Sequence, residues 1–135
     1  MSHWSVKSAS NFTATNKLNI DAFFASSVHC SYYSCIQFMF HILSVHFNKT
    51  DRQINDESYN GGKQAGGLHN WLFNTISNEI AGSVDANSFD TYITDLQDLR
   101  VKSDYKNQVI IEAQANEARN IASKTLVILK RNFKI

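Results

Sequence analysis

The chain contains no proline, and four of its five glycines fall in one short stretch, Gly61-Gly62 and Gly66-Gly67. Outside that stretch nothing strongly breaks a helix. A strand-rich domain of this size needs turn signals about every eight to twelve residues, and this chain does not supply them. Long helices do not need them. A length of 135 residues is ordinary for one domain, and folding at that size hides about two-thirds of the unfolded surface. The expectation is a single all-α domain over residues 1–135, an up-and-down antiparallel bundle of about five helices.

The strongest helical pattern follows Asn19-Ile20-Asp21, with Asp21 as the expected N-cap, and runs to about Phe47. Phe24, Val28, Tyr32, Cys35, Met39 and Leu43 keep helical spacing, while Phe23, Tyr33, Ile36, Phe38, Phe40 and Ile42 widen the apolar sector. A helix that is apolar over so much of its circumference is central to the bundle or covered by a partner subunit. The last helix reads from Ile111 through Ala115, Ala118, Ala122, Leu126 and Leu129 to Phe133, and its alanines imply close packing. Val109-Ile110-Ile111 would suit a strand taken alone, but they lead into this spacing and are assigned to the helix. Leu68, Leu72 and Ile76 mark a short helix, Phe89, Ile93, Leu96 and Leu99 mark another beginning near Asp85, and Trp4 to about Asn16 is a weaker first one. The polar run from Lys49 to Lys63 and the glycines after it are expected to form a flexible connection.

Thirteen basic against twelve acidic residues give a net charge of +1, so any nucleic-acid surface must be a local patch. Nowhere do eighteen uncharged apolar residues run together, and Met1-Ser2-His3-Trp4-Ser5 is not a basic segment leading into an apolar one. The expectation is a cytoplasmic protein that does not enter the membrane. Cys30 and Cys35 are five apart, which turns them about 140° from each other on a helix, so they read as small buried hydrophobes and not as a disulfide.

Two segments carry a family resemblance. Ser26-Ser27-Val28-His29-Cys30-Ser31-Tyr32-Tyr33-Ser34-Cys35 is a small-residue run leading into paired tyrosines, and Leu99-Arg100-Val101-Lys102-Ser103-Asp104-Tyr105 precedes the alanine-rich last helix. Together, in this order and separation, they resemble the HEPN domain family, from about Ser8 to Leu129. The resemblance implies an antiparallel helical bundle that pairs into a homodimer. It also implies one of two roles: metal-independent ribonuclease in toxin or phage-defence systems, or non-catalytic partner of a nucleotidyltransferase or antitoxin. Active members carry an arginine followed after four to six residues by a histidine. Here Tyr105 stands in the place of that histidine. A histidine titrates near neutral pH and can exchange a proton with a 2′-hydroxyl, whereas tyrosine, with a pKa of about 10, does so poorly.

The leading expectation is therefore a dimer-forming module that binds RNA or a nucleotide-bearing or protein partner, with weak or absent nuclease activity. Arg100 is the candidate phosphate ligand, with Asp104, Tyr105, Lys102 and Tyr33 as candidate binding residues around it. The alternative is a ribonuclease in which Arg100 stabilises the scissile phosphate and His29 or His69, brought close by folding or across a dimer, transfers the proton. A second alternative is a non-enzymatic interaction subunit. His41 and His46 are five apart, and no cysteine or acidic side chain completes a zinc set with them, so neither a metal nor a cofactor is expected. Lys124, Lys130, Arg131 and Lys134 give the last helix a basic end that suits its dipole.

Overall fold

The computed structural model describes residues 3–106 and 108–135. Six helices make up the fold: α1 His3–Ile20, α2 Phe24–Val45, α3 Asp51–Ala65, α4 Leu68–Ile80, α5 Ala86–Tyr105 and α6 Glu112–Phe133. No strand occurs among the described residues. The all-α expectation holds, with one helix more than the spacing predicted. No helix among the described residues is long and apolar enough to cross a membrane.

Helix α2 is the centre, and every other helix packs on it. Val28, Cys35, Met39, Ile42 and Leu43 are fully buried, which explains why its apolar sector is so wide. Its start differs from the expectation. Helix α1 runs on to Ile20, the chain reverses through Ala22 at φ 62°, and Phe23 occupies the N-cap position with no side-chain cap, so Asp21 lies in the turn. The Phe23 N–H bonds the Leu18 carbonyl at 2.8 Å, so the outgoing end of α1 performs the stop that a capping carboxylate would have signalled.

A seam of small polar side chains joins α1 to α2. Thr15 Oγ1 donates to the Ser27 carbonyl at 2.7 Å and lies 2.6 Å from Ser31 Oγ, while Ser8 donates to the Ser34 carbonyl at 2.6 Å. All five of these side chains are buried. Their small size lets the helices approach closely, and their mutual bonding removes the cost of burying hydroxyls. The pairing of residue 8 with 34 and 15 with 27 shows that the two helices are antiparallel.

The segment expected to be a flexible connection is instead helix α3. Thr50 caps it in a reciprocal box: its hydroxyl accepts from Gln53 N–H at 3.2 Å, and the Gln53 side chain accepts from Thr50 N–H at 2.8 Å. Ile54, Ser58 and Gly62 form its single narrow buried stripe. Gly61 and Gly62 are helix interior, placed where α4 comes closest. A Cβ on Gly61 would collide with the Trp71 indole, and one on Gly62 would lie 3.1 Å from Leu68 N. Gly66, at φ 85°, closes the helix in the left-handed conformation.

Asp85 is the N-cap of helix α5, which begins near it as expected, and the same residue ties the helix to the end of α6. Asp85 accepts from Arg131 Nη2 at 2.6 Å, from Arg131 Nε at 3.0 Å and from Asn132 Nδ2 at 2.8 Å. This structural lock accounts for Arg131 in the basic C-terminal cluster. Residues 109–111 are neither helix nor strand: Ile110 is buried, and Ile111 is the extended N-cap of α6, its N–H held by the Gln114 side chain at 3.1 Å. Of the two free cysteines, Cys35 is fully buried, with its thiol pushed up to about 12 by desolvation, and Cys30 is half-buried.

Candidate functional site at the Arg100 cluster

Helices α2 and α5 lie side by side and antiparallel, so His29 meets Asp104 and Tyr33 meets Arg100. His29, Tyr32 and Tyr33 are spaced three and four apart and share one face of α2. The sharp α3–α4 connection then delivers His69, in the first turn of α4, to the same place.

Arg100 is the hub. Its Nη2 donates to Tyr33 OH and to Tyr105 OH, both at 3.1 Å. The guanidinium carbon lies 4.8 Å from the Tyr105 ring centre, 5.3 Å from that of Tyr32 and 5.7 Å from that of Tyr33. Three aromatic faces thus surround a cation whose side chain is 15% exposed. Nε sits 3.0 Å from Asp104 Oδ2 but is not aimed along a hydrogen bond, so this contact is an ion pair without alignment. Burial pulls the Arg100 pKa down, but Tyr33, Tyr105 and Asp104 outweigh it and the net shift is upward. The group stays charged. Nη1 makes no hydrogen bond to another described residue.

Asp104 Oδ2 serves two partners, since His29 Nδ1 also lies 3.0 Å from it. An ionised carboxylate only accepts, so Nδ1 carries the hydrogen and the free base of His29 is Nε2. The His29 side chain is 47% exposed, and its ring lies 4.6 Å from that of Tyr33. His69 is the more enclosed imidazole. Its Nδ1 is 2.8 Å from Tyr32 OH, and burial, then Arg100, lowers its pKa, which keeps it neutral at neutral pH. Burial raises the Tyr32 phenol beyond its ordinary range, so this hydroxyl keeps its proton.

The structure therefore brings together Arg100, His29, His69, Tyr33, Asp104 and Tyr105, residues drawn from three helices. Lys102 does not join them: it is exposed, two residues beyond Arg100 and so on another side of α5. Tyr32 belongs to the cluster although its spacing marked it only as core. Its neighbour in the Tyr-Tyr pair was the available signal. Among the described residues no three His, Cys, Asp or Glu side chains gather as a metal set. His46 lies 3.9 Å from Glu79 and packs on Phe133, and His41 is buried.

No family model, curated protein or solved structure matches this chain.

Proposed function

We propose that the chain is a HEPN-type, dimer-forming helical module that binds RNA through the Arg100 cluster in a toxin or defence setting. The same surface suits a nucleotide-bearing partner, such as a nucleotidyltransferase with its nucleotide, or an antitoxin. The observation that carries this reading is the state of Arg100. Tyr33, Tyr105 and Asp104 hold the guanidinium in place, and the cation, 15% exposed, is positioned to meet a phosphate oxygen. Tyr105 and His29 are exposed beside it and offer faces on which an unstacked base can lie.

Dimerisation draws support from the same end of the bundle. The α1–α2 turn, the end of α5 and the start of α6 converge there, as the contacts of His29 with Asp104 and of Asn19 with Asn116 require. Ile20, Phe23, Val109 and Ile111 are all exposed at that end. Such a concentration of apolar side chains suits a self-complementary two-fold contact, which would set two Arg100 clusters near one axis.

A second reading, metal-independent ribonuclease, is favoured by the Asp104–His29 pair. A carboxylate that fixes the tautomer of a solvent-facing imidazole is the arrangement a proton-transfer histidine needs, and here it lies on the residue that also pairs with Arg100.

One experiment tests both. Purified protein is incubated with structured and single-stranded RNAs in excess chelator, alongside Arg100→Ala, with binding, cleavage and light scattering recorded. RNA binding lost in Arg100→Ala, with the dimer unchanged, is the expected result. Cleavage that is likewise lost would promote the second reading, and absence of RNA binding by the parent would remove both.

A further inference from the structure

A groove of 450 Å³ lies between α4 and α5, on the helix that carries Arg100. It neighbours the hollow that contains His69, and Asn70 and Gln97 line both. The volume lies within the range of pockets for small ligands, about 300–1,000 Å³. Its polar wall is formed by Asn70, Asn74, Thr94 and Gln97, and its deeper side by apolar residues such as Phe73 and Ile93.

The charge of the groove identifies what enters it. No lysine or arginine lines it, and its one ionised side chain is the carboxylate of Asp90. A phosphate backbone is repelled there and drawn to Arg100. What suits it is an uncharged group with hydrogen-bonding edges, and among the parts of an RNA strand that is the nucleobase. Gln97 Nε2 reaches Asn70 Oδ1 at only 3.5 Å, a weak contact that a ligand can replace. Ser77 Oγ donates to Asp90 Oδ1 at 2.7 Å, fixing the carboxylate and leaving Oδ2 to accept.

Resting on the RNA-binding reading of the Arg100 cluster, we propose that the α4–α5 groove is a base-reading subsite for single-stranded RNA. In it Asp90 selects bases that carry an exocyclic amine. A carboxylate accepts from the amino group of cytosine and is repelled by the carbonyl that uracil presents at the same position. Asp90 and Arg100 are ten residues apart on one helix, about 15 Å along its axis, so the base that is read and the phosphate that is held belong to different nucleotides. The recognised unit is a short single strand, whose bases are free to splay, and not a duplex.

The test compares cytidine and uridine tracts of equal length, which differ at this edge by the exchange of an amine for a carbonyl, in fluorescence anisotropy with the full chain. The parent is expected to bind the cytidine tract at least about tenfold more tightly, the worth of one good base-edge contact. Asp90→Asn, at an exposed position where the amide oxygen still accepts from Ser77, should bring the two tracts within about threefold, with helical content unchanged by circular dichroism. Arg100→Ala should weaken both tracts alike and keep their ratio. Equal binding of both tracts by the parent, or a preference that survives Asp90→Asn, overturns the groove assignment while Arg100-dependent binding leaves the wider reading intact. No binding of either tract, or binding indifferent to Arg100→Ala, removes the RNA reading and this inference with it.

Discussion

Asp104 accepts the Nδ1 hydrogen of His29 at 3.0 Å across seventy-five residues of sequence, and the same oxygen lies 3.0 Å from Arg100 Nε. One carboxylate thus orients an imidazole and partly neutralises the cation beside it. The two duties make opposite predictions for Asp104→Asn. Removing the charge should strengthen RNA binding severalfold, because a phosphate no longer competes with an internal anion for Arg100. It should also depress any RNA cleavage by about 100-fold or more, because the His29 tautomer is no longer fixed. Binding and single-turnover assays on the same preparation measure both. A parallel rise or parallel fall would contradict the shared-carboxylate account.

Gly61 lets the Trp71 indole lie directly on the α3 backbone. Gly61→Ala should cost about 1–3 kcal/mol, the usual penalty of overpacking, because the indole must shift to admit the new Cβ. Urea unfolding gives the value. Pairing the substitution with Trp71→Leu should recover part of the loss, since the smaller side chain removes the clash. Strict additivity of the two changes would show that they do not meet.

Asp85 is held below the usual carboxylate range by the hydrogen bonds of Arg131 and Asn132. Since its folded pKa is depressed, its contribution to stability is present above the unfolded value of 3.8 and is lost as pH falls through the folded one. Asp85→Asn should lower Tm at neutral pH and flatten the decline of stability below about pH 4. Thermal melts of parent and variant from pH 7 to pH 3 check the sign, and equal slopes would dismiss the lock.

The lowered pKa of His69 acts in a higher window. Burial, helped by Arg100, favours the neutral ring in the folded state, so the unfolded chain takes up a proton first as pH falls below about 6.5. Folding stability should therefore decrease from pH 7 toward pH 5. His41, lowered by burial, adds to the same decline. His69→Gln should keep a polar partner for Tyr32 and remove part of this dependence, as read from urea midpoints across the range. An unchanged slope would place the proton uptake elsewhere.

Periodicity revealed α2 and α6 because each buries a broad stripe of large or closely spaced apolar residues, as Met39 and Leu43 or Ala118 and Ala122 illustrate. Helix α3 escaped that reading because its buried stripe holds only Ile54, Ser58 and Gly62, which no hydropathy pattern distinguishes from a loop. The signal was the capping box Thr50-Asp51-Arg52-Gln53, a local motif that does not depend on apolar spacing. Asp21 misled in the opposite way, since a capping residue type stands where a left-handed Ala22 makes the turn. Arg100, Asp104 and Tyr105 were legible as a group four and five apart on one helix. That His29 and His69 meet them is a property of the packing of α2, α4 and α5 and appears in no local window. The α4–α5 groove was equally hidden, because Asn70, Asn74, Asp90 and Gln97 are ordinary surface residue types until two helices set them face to face.

The central place of α2 bears on the order in which the protein takes shape during synthesis. Its Cys35 side packs against Ala122 and its far end reaches Phe133 through His46, so that flank stays open until the final helix has been translated. A nascent chain with α1 to α5 outside the ribosome holds its hairpins but carries an unsealed greasy strip along the middle helix. It is in this interval that the chain is most exposed to aggregation and chaperone capture. Premature stops before Glu112 should therefore yield a product that is degraded or insoluble, not a smaller working bundle.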